Sequence, residues 1–102
     1  MIRKRRRAVD ELIGQFEYVA LRNPGAASRL VDAVERTLRM LEKMPRLGRP
    51  WAPRGSPLRQ IRVCAVVGFE NHVLYYRPIP GGIEWLPVRH AAQDAPEFAK
   101  ET

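Results

Sequence analysis

Apolar residues in the first part of the chain recur with the period of an α-helix. From Val9 onward they occupy positions i, i+3, i+4, i+7, i+10 and i+11, a spacing that places them on one helical face. The residues on this face are Val9, Leu12, Ile13, Phe16, Val19 and Ala20. The pattern predicts a first helix over residues 7–22.

A second helical pattern follows a short break with the sequence RNPG. Asn23 is a residue type favoured at the N-cap and Pro24 suits the first helical position, so a helix is predicted over residues 24–44. Its apolar stripe consists of Ala27, Leu30, Val31, Val34, Leu38 and Leu41, with Ala33, Thr37, Met40 and Met44 beside it. A face this wide predicts packing on both the first helix and a sheet. The short connection makes the two helices an antiparallel hairpin.

The second half of the chain shows the pattern of β-strands, after a loop at residues 45–57 that holds four prolines and two glycines. Strands are predicted at residues 58–67, 71–78 and 83–90. Alternation in the first of them places Ile61, Val63, Ala65 and Val67 on one face, and Arg62 and Cys64 on the other. Short turns between the strands make them antiparallel neighbours.

Two features at the ends of this pattern affect the predicted sheet. Pro87 has no N–H to donate, which predicts an edge strand or a bulge. The N-terminal sequence MIRKRR is a candidate for a fourth strand, although its composition is poor for one.

Together these elements predict one α+β domain with the order β-α-α-β-β-β, in which the helical hairpin packs on a small antiparallel β-sheet. A chain of 102 residues fits a single domain. Its parts are the hairpin at residues 7–44, the loop at 45–57, a β-meander at 58–90 and a C-terminal tail at 91–102.

The net charge of the chain indicates the chemical class of its partner. The chain carries 18 Lys plus Arg against 11 Asp plus Glu, a formal net charge of +7. All of the basic residues except Lys4, Lys43 and Lys100 are arginine, whose planar donor group suits phosphates and carboxylates. This excess predicts an acidic partner, either nucleic acid or an acidic protein segment.

The remaining composition favours a cytoplasmic protein. Cys64, the single cysteine, cannot form a disulfide within the chain and fits a reducing compartment. The basic start is followed at once by Asp10 and Glu11 and by no uninterrupted apolar stretch, so it does not match a secretory signal peptide. No segment approaches the length of a membrane span, and no membrane association is expected.

Three stretches, taken in order, resemble the RelE/ParE superfamily of type II toxin–antitoxin modules, most closely its ParE, or plasmid-stabilisation, branch. Residues 7–50 are similar to the two helices of that branch, which end in P-x-L-G-R-P. SPLRQIRV resembles its Leu-Arg start of the following strand, and HVLYYRPIPGGIEWLPVRHAAQD resembles its ending. The resemblance covers roughly residues 7–94.

The resemblance implies a toxin that is neutralised by a cognate antitoxin, whose C-terminal segment folds on the toxin. The superfamily hosts two activities. ParE-type members inhibit DNA gyrase by binding, and this is the expected function. RelE-type members are ribosome-dependent mRNA endonucleases, which is the alternative, together with an inactive toxin relic that serves only in operon autoregulation. No cofactor is expected.

If the chain were a nuclease, His90 would be the natural general base because its unperturbed pKa lies near neutrality. The arginines that could stabilise charge beside it are Arg59, Arg62 and Arg77, with Tyr76 as a proton donor. Strand alternation, however, places His90 on one face with Leu86 and Val88. We therefore expect His90 to be structural.

A function in binding would use a different set of residues. The candidates for contact with the target or the antitoxin are Arg59, Arg62, Arg77, Arg89 and Trp51. Arg59 and Arg62 on one strand could form a patch with Arg77 on the next. Trp51 could either be exposed to a partner or lie over the helix ends. His72, His90, Cys64 and Asp94 show no close metal-ligand spacing, so no metal site is predicted.

Overall fold

The computed structural model of the chain describes residues 1–52, 55 and 60–88. Its elements are β1 (Ile2–Lys4), α1 (Arg6–Ala20), α2 (Pro24–Lys43), β2 (Arg49–Pro50), β3 (Arg62–Val66), β4 (Phe69–Ile79) and β5 (Gly82–Leu86). The helical hairpin packed on a sheet confirms the predicted α+β class. The N-terminal residues do form a strand, and the loop after α2 contributes a short one that the sequence pattern did not indicate.

The five strands form one sheet in the order β1-β5-β4-β3-β2. Neighbouring strands from β2 to β5 run antiparallel, as predicted for the meander. β1 instead pairs with β5 in parallel, so the sheet is mixed and not purely antiparallel as expected. Gly82 permits this pairing, because a side chain there would collide with the carbonyl group of Met1, which accepts a hydrogen bond from Ile83 N at 3.1 Å.

Strand β5 lies inside the sheet, between β1 and β4. The expectation that Pro87 marks an edge strand or a bulge is therefore wrong. The strand ends at Leu86, directly before this proline, which cannot donate to a further ladder hydrogen bond. The sequence predicted that strand alternation continues from Leu86 to Val88 and His90, but the strand ends at Leu86. His90 itself lies outside the described residues.

Strand β3 keeps the predicted alternation over Arg62–Val66. Val63 lies opposite Tyr75 on one face, whereas Cys64 and Val66 pack in the main core on the other. Val67 follows the end of the strand and is 47% exposed. The register against β4 shifts between Ala65 and Val66, because Ala65 pairs with Val73 and Val66 with Phe69, so residues 70–72 of β4 have no paired residue on β3.

Both helices lie within two residues of their predicted bounds. Asn23 is the N-cap of α2, where its side chain accepts a hydrogen bond from Ala26 N at 3.1 Å, and Pro24 follows as predicted. α2 packs on α1 and on the sheet, which confirms the expectation from its wide apolar face. Its buried residues are Ala27, Leu30, Ala33, Val34, Thr37, Leu38 and Leu41.

Helix α1 is less buried than its pattern predicted. Ala8 is its one buried residue, and Ile13 and Phe16 are 49% and 36% exposed. α1 packs chiefly on α2, so only part of its apolar stripe reaches the core. That core lies between the hairpin and the sheet and comprises Ala8, Leu30, Ala33, Val34, Leu38, Leu41, Val66, Leu74, Tyr76, Ile83 and Trp85.

Candidate functional site

The structure divides the predicted site residues among separate places. Arg59, Arg89 and His90 lie outside the described residues, as does Asp94, so their roles stay predictions. The side chains of Arg62, Tyr76, Arg77 and Trp51 are described, and they do not converge on one site.

Arg62 and Arg77 point to opposite faces of the sheet. Arg62 lies opposite Tyr76 in the register between β3 and β4, so both side chains point to the face covered by the helices. Arg77, the next residue along β4, points to the other face. Arg62 and Arg77 therefore do not share the patch that the sequence suggested, and its third member, Arg59, lies outside the described residues.

Arg62 and Tyr76 both contact the loop that follows α2. The guanidinium of Arg62 donates to the carbonyl oxygens of Arg46 and Gly48. The Tyr76 hydroxyl donates to the carbonyl oxygen of Pro45 at 2.6 Å and accepts from Gly48 N at 2.9 Å. Tyr76 is fully buried, and this burial raises the pKa of its hydroxyl. These contacts hold the P-x-L-G-R-P loop against the sheet.

The face of the sheet turned away from the helices, here called the outer sheet face, is apolar at one end. Register places Val63, Tyr75 and Leu86 side by side on it. Trp51 packs edge-on against Tyr75, with ring centroids 6.2 Å apart, in a small cluster with Ile61 and Leu86. Trp51 is half-buried at this position. It therefore does not lie over the helix ends, which was one of its two expected placements.

The other end of the outer sheet face carries a charged cluster. Glu84 of β5 lies opposite Arg77 of β4 and Arg3 of β1 in the sheet register. Its carboxylate accepts from Arg77 Nε at 2.6 Å and from Arg5 Nε at 2.9 Å. Burial by itself would raise the pKa of Glu84, but the hydrogen bonds and charges of the two arginines outweigh it and leave this pKa lowered. Glu84 is therefore ionised at neutral pH.

Two acidic residues of α2 pair with cationic groups of the N-terminal segment. Glu35 of α2 accepts from Lys4 Nζ at 2.7 Å, and Glu42 pairs with the amino group of Met1. Both carboxylates are thus engaged by the N-terminal segment, and within the described part of the chain neither forms an ion pair with the basic residues that lie near them on the surface of α2.

The exposed basic residues in the second half of α2 and in the turn after it form a surface that we name the basic α2 face, consisting of Arg36, Arg39, Lys43 and Arg46. The first three are spaced i, i+3 and i+7, which aligns them along one side of the helix. All four are exposed, and their side chains form no ion pair within the part of the chain that the structure describes. Arg36, Arg39 and Lys43 line a shallow depression of about 320 Å³ together with Met40 and Met44.

A larger groove, of about 790 Å³, runs between α1 and the β3–β4 hairpin. Its floor is apolar, and its rims are polar. Leu12, Leu30, Val34, Val66, Leu74 and Trp85 contribute to the floor, and Arg7, Asp10, Glu11, Gln15, Asn71 and His72 to the rims. The rims carry charges of both signs, so the groove does not select an anionic partner as the basic α2 face does.

Sequence reasoning missed Arg5, Glu84 and the basic α2 face as candidate site residues. For Glu84 a signal was present, since it is the single acid in the apolar strand GIEWL, and a buried carboxylate requires a cationic partner. The identity of those partners depended on the parallel pairing of β1 with β5, which brings Arg5 within reach.

Among the described side chains, no group of three or more His, Cys, Asp or Glu lies close enough to hold a metal ion. No helix in the described ranges is both long enough and apolar enough to cross a membrane.

Comparison with known proteins agrees with the motifs. The family model described as ParE toxin of type II toxin-antitoxin system, parDE, matches residues 2–95. No curated protein matches the chain. The family match covers the hairpin, the P-x-L-G-R-P loop and the sheet, and it confirms the resemblance drawn from the sequence. The chain therefore belongs to the ParE toxin family of type II toxin–antitoxin systems.

Proposed function

We propose that this chain is a toxin that inhibits DNA gyrase in the cytoplasm by binding it, and that a cognate antitoxin neutralises the toxin. Membership of the ParE family supports the toxin–antitoxin role. The basic α2 face is the observation that supports a binding function, because its cations have no acidic partner within the described residues.

The chemistry of the basic α2 face suits an antitoxin segment that is both acidic and apolar. Three of its cations surround Met40 and Met44, and Met44 is 52% exposed. Carboxylates of the partner would pair with the arginines, and its apolar side chains would cover the methionines. A segment that folds on binding can supply both along one helical side.

Two further placements support binding over mRNA cleavage. The hydroxyl of Tyr76, a candidate proton donor for a nuclease, is buried and hydrogen-bonded to the backbone of the loop. Arg62, a candidate for contact with phosphate, is engaged with carbonyl oxygens of the same loop. Both side chains thus have structural partners that account for them.

Expression in bacteria tests the proposed activity. Expression of the chain alone should arrest growth, and co-expression of the antitoxin should restore it. The purified toxin should inhibit supercoiling by gyrase and stabilise its cleavage complex with DNA. If gyrase is unaffected while new mRNA 5′ ends appear at codon positions on ribosomes, the endonuclease alternative is correct. Unimpaired growth with abundant folded protein indicates the inactive relic.

The antitoxin surface can be tested by charge reversal. The double variant Arg39→Glu and Lys43→Glu should weaken antitoxin binding by about tenfold or more, because partner carboxylates would meet like charge. The single reversal Arg22→Glu, in the connection before α2 and about 25 Å from Arg39 along the helix axis, is the control for the single reversal Arg39→Glu and should change affinity little. Isothermal titration at constant salt measures both, and equal effects at both places would contradict the proposed surface.

A further inference from the structure

We propose that Arg5 and Arg77, held in position by Glu84, form a binding site for one phosphate group on the outer sheet face. We name the three residues the arginine clamp. The inference rests on their geometry and stands whether or not gyrase is the target.

The two arginines share Glu84 in a way that leaves most of their donors free. Arg5 Nε donates to Oε2 of Glu84 at 2.9 Å, and Arg77 Nε donates to Oε1 at 2.6 Å. Each carboxylate oxygen is thus bonded to one Nε. Within the described residues, the terminal Nη groups of neither arginine have a hydrogen-bond partner. Because a guanidinium is planar, fixing Nε also restricts the directions of these free donors.

The buried carboxylate of Glu84 holds the two more exposed arginines in place. The Glu84 side chain is 4% exposed, whereas those of Arg5 and Arg77 are 43% and 34% exposed. The carboxylate therefore lies beneath two guanidiniums that reach solvent. Holding both arginines in place before the ligand arrives reduces the rotamer entropy that binding would otherwise lose, which is the general advantage of preorganisation.

The charge of the clamp favours an anion with several oxygens. Two guanidiniums and one carboxylate leave a single positive charge, and Arg3 lies beside Glu84 in the register of β1 and β5. Two arginines with free Nη groups can donate several hydrogen bonds to different oxygens of one phosphate. A carboxylate has only two oxygens and would satisfy fewer of these donors.

The neighbourhood of the clamp fits a phosphate that belongs to a nucleotide. Tyr75 lies two residues before Arg77 on the same strand, so both side chains point to the outer sheet face. Tyr75 and Trp51 are both half-buried and leave part of their rings exposed. Aromatic rings next to a cationic site bind nucleotide bases by stacking. Free inorganic phosphate has the same recognition chemistry without the base, and the experiment separates these two sources.

The decisive variant is Glu84→Gln. Binding by diffuse positive charge and binding by positioned arginines predict opposite changes in its affinity for phosphate. It raises the formal net charge of +7 by one. If affinity for phosphate depended only on diffuse positive charge, the variant would bind more tightly. If Glu84 positions the arginines, the loss of two charge-assisted hydrogen bonds should weaken binding by about tenfold or more. Fluorescence anisotropy with a short single-stranded oligodeoxynucleotide measures this, and competition with inorganic phosphate shows whether the base contributes.

A second pair of variants keeps the test valid if Glu84→Gln loses stability. Arg77→Lys retains the charge and a partner for Glu84 but lacks the planar set of donors, so it should weaken binding by about tenfold. Arg22→Lys, which is exposed and lies outside both the clamp and the basic α2 face, is the matched control and should change affinity less than about twofold. Equal effects of the two lysine variants, unchanged or tighter binding by Glu84→Gln with its fold intact, or preference for an acidic peptide over phosphate would each overturn the proposal.

Discussion

Tyr76 explains why the P-x-L-G-R-P loop contains a glycine. Its buried hydroxyl bonds to Pro45 O and to Gly48 N, which brings the loop backbone against the ring. A Cβ atom on Gly48 would lie 2.6 Å from the hydroxyl oxygen and 2.7 Å from Cε1 of Tyr76. The ring lies in the core and cannot move away cheaply, because protein interiors are closely packed. At the residue scale, this part of the family motif is thus explained by steric exclusion.

Gly48→Ala should therefore destabilise the fold by about 1–3 kcal/mol, the usual range for an overpacked core. Gly14→Ala is the matched control. Gly14 lies inside α1 with no atom within 4 Å of an added Cβ, and alanine is favoured over glycine in helices by up to about 1 kcal/mol. Gly48→Ala should lower the free energy of unfolding and Gly14→Ala should raise it, as measured by urea unfolding followed by circular dichroism. If Gly48→Ala were neutral, the loop contact would not limit stability.

At the scale of elements, the two helices of the hairpin differ in how fully they are buried. Seven residues of α2 are buried, against one of α1, although both helices have amphipathic sequences. The difference arises because α2 packs on both α1 and the sheet, whereas α1 packs chiefly on α2. The sequence pattern alone indicates an apolar side on each helix but not how much surface is available to cover it.

Matched truncations should reveal this difference. Leu38 of α2 is fully buried, so Leu38→Ala should reduce the free energy of unfolding by about 2–5 kcal/mol. Ile13 of α1 is 49% exposed, and Ile13→Ala should change it by less than about 0.5 kcal/mol. Thermal unfolding of both variants in one buffer tests the comparison. A large loss for Ile13→Ala would mean that α1 is more deeply packed than the structure shows.

At the scale of the whole molecule, residues far apart in sequence meet at Glu84. Arg5 precedes α1 and Arg77 lies on β4, and both bond to this one carboxylate on β5. The parallel pairing of β1 with β5 is reinforced by Lys4, which bonds to Glu35 of α2. The clamp therefore joins the N-terminal strand to the meander, and its protonation should affect the stability of the whole fold.

The direction of that pH dependence follows from the lowered pKa of Glu84. In the unfolded chain this group has an ordinary pKa near 4.3, so as pH falls the unfolded state takes up a proton before the folded state does. Stability from Glu84 is thus fully present above the unfolded pKa and is lost as pH falls through the folded one. The difference in unfolding free energy between wild type and Glu84→Gln should be largest at neutral pH and shrink below about pH 4. A constant difference from pH 7 to pH 3 would contradict the ionised clamp.

The elements that depend on local chemistry and periodicity could be predicted from the sequence. Asn23 and Pro24 mark the start of α2, because capping and the fixed φ of proline act within a few residues. The period of apolar residues predicted both helices, and the turns between strands predicted the antiparallel meander. The ordered motifs also indicated the family, which the family match over residues 2–95 confirms.

Which of these elements share a surface depends on tertiary contacts. Arg62 and Arg77 were predicted to lie in one patch, but strand register places them on opposite faces of the sheet. Arg5 gave no sign of its role until the parallel pairing of β1 brought it to Glu84. The register shift between Ala65 and Val66 likewise leaves residues 70–72 of β4 without a paired residue on β3, which the apolar pattern did not indicate. Strand pairing, bulges and helix docking are set by contacts between distant residues, and a single sequence read in local windows does not contain that information.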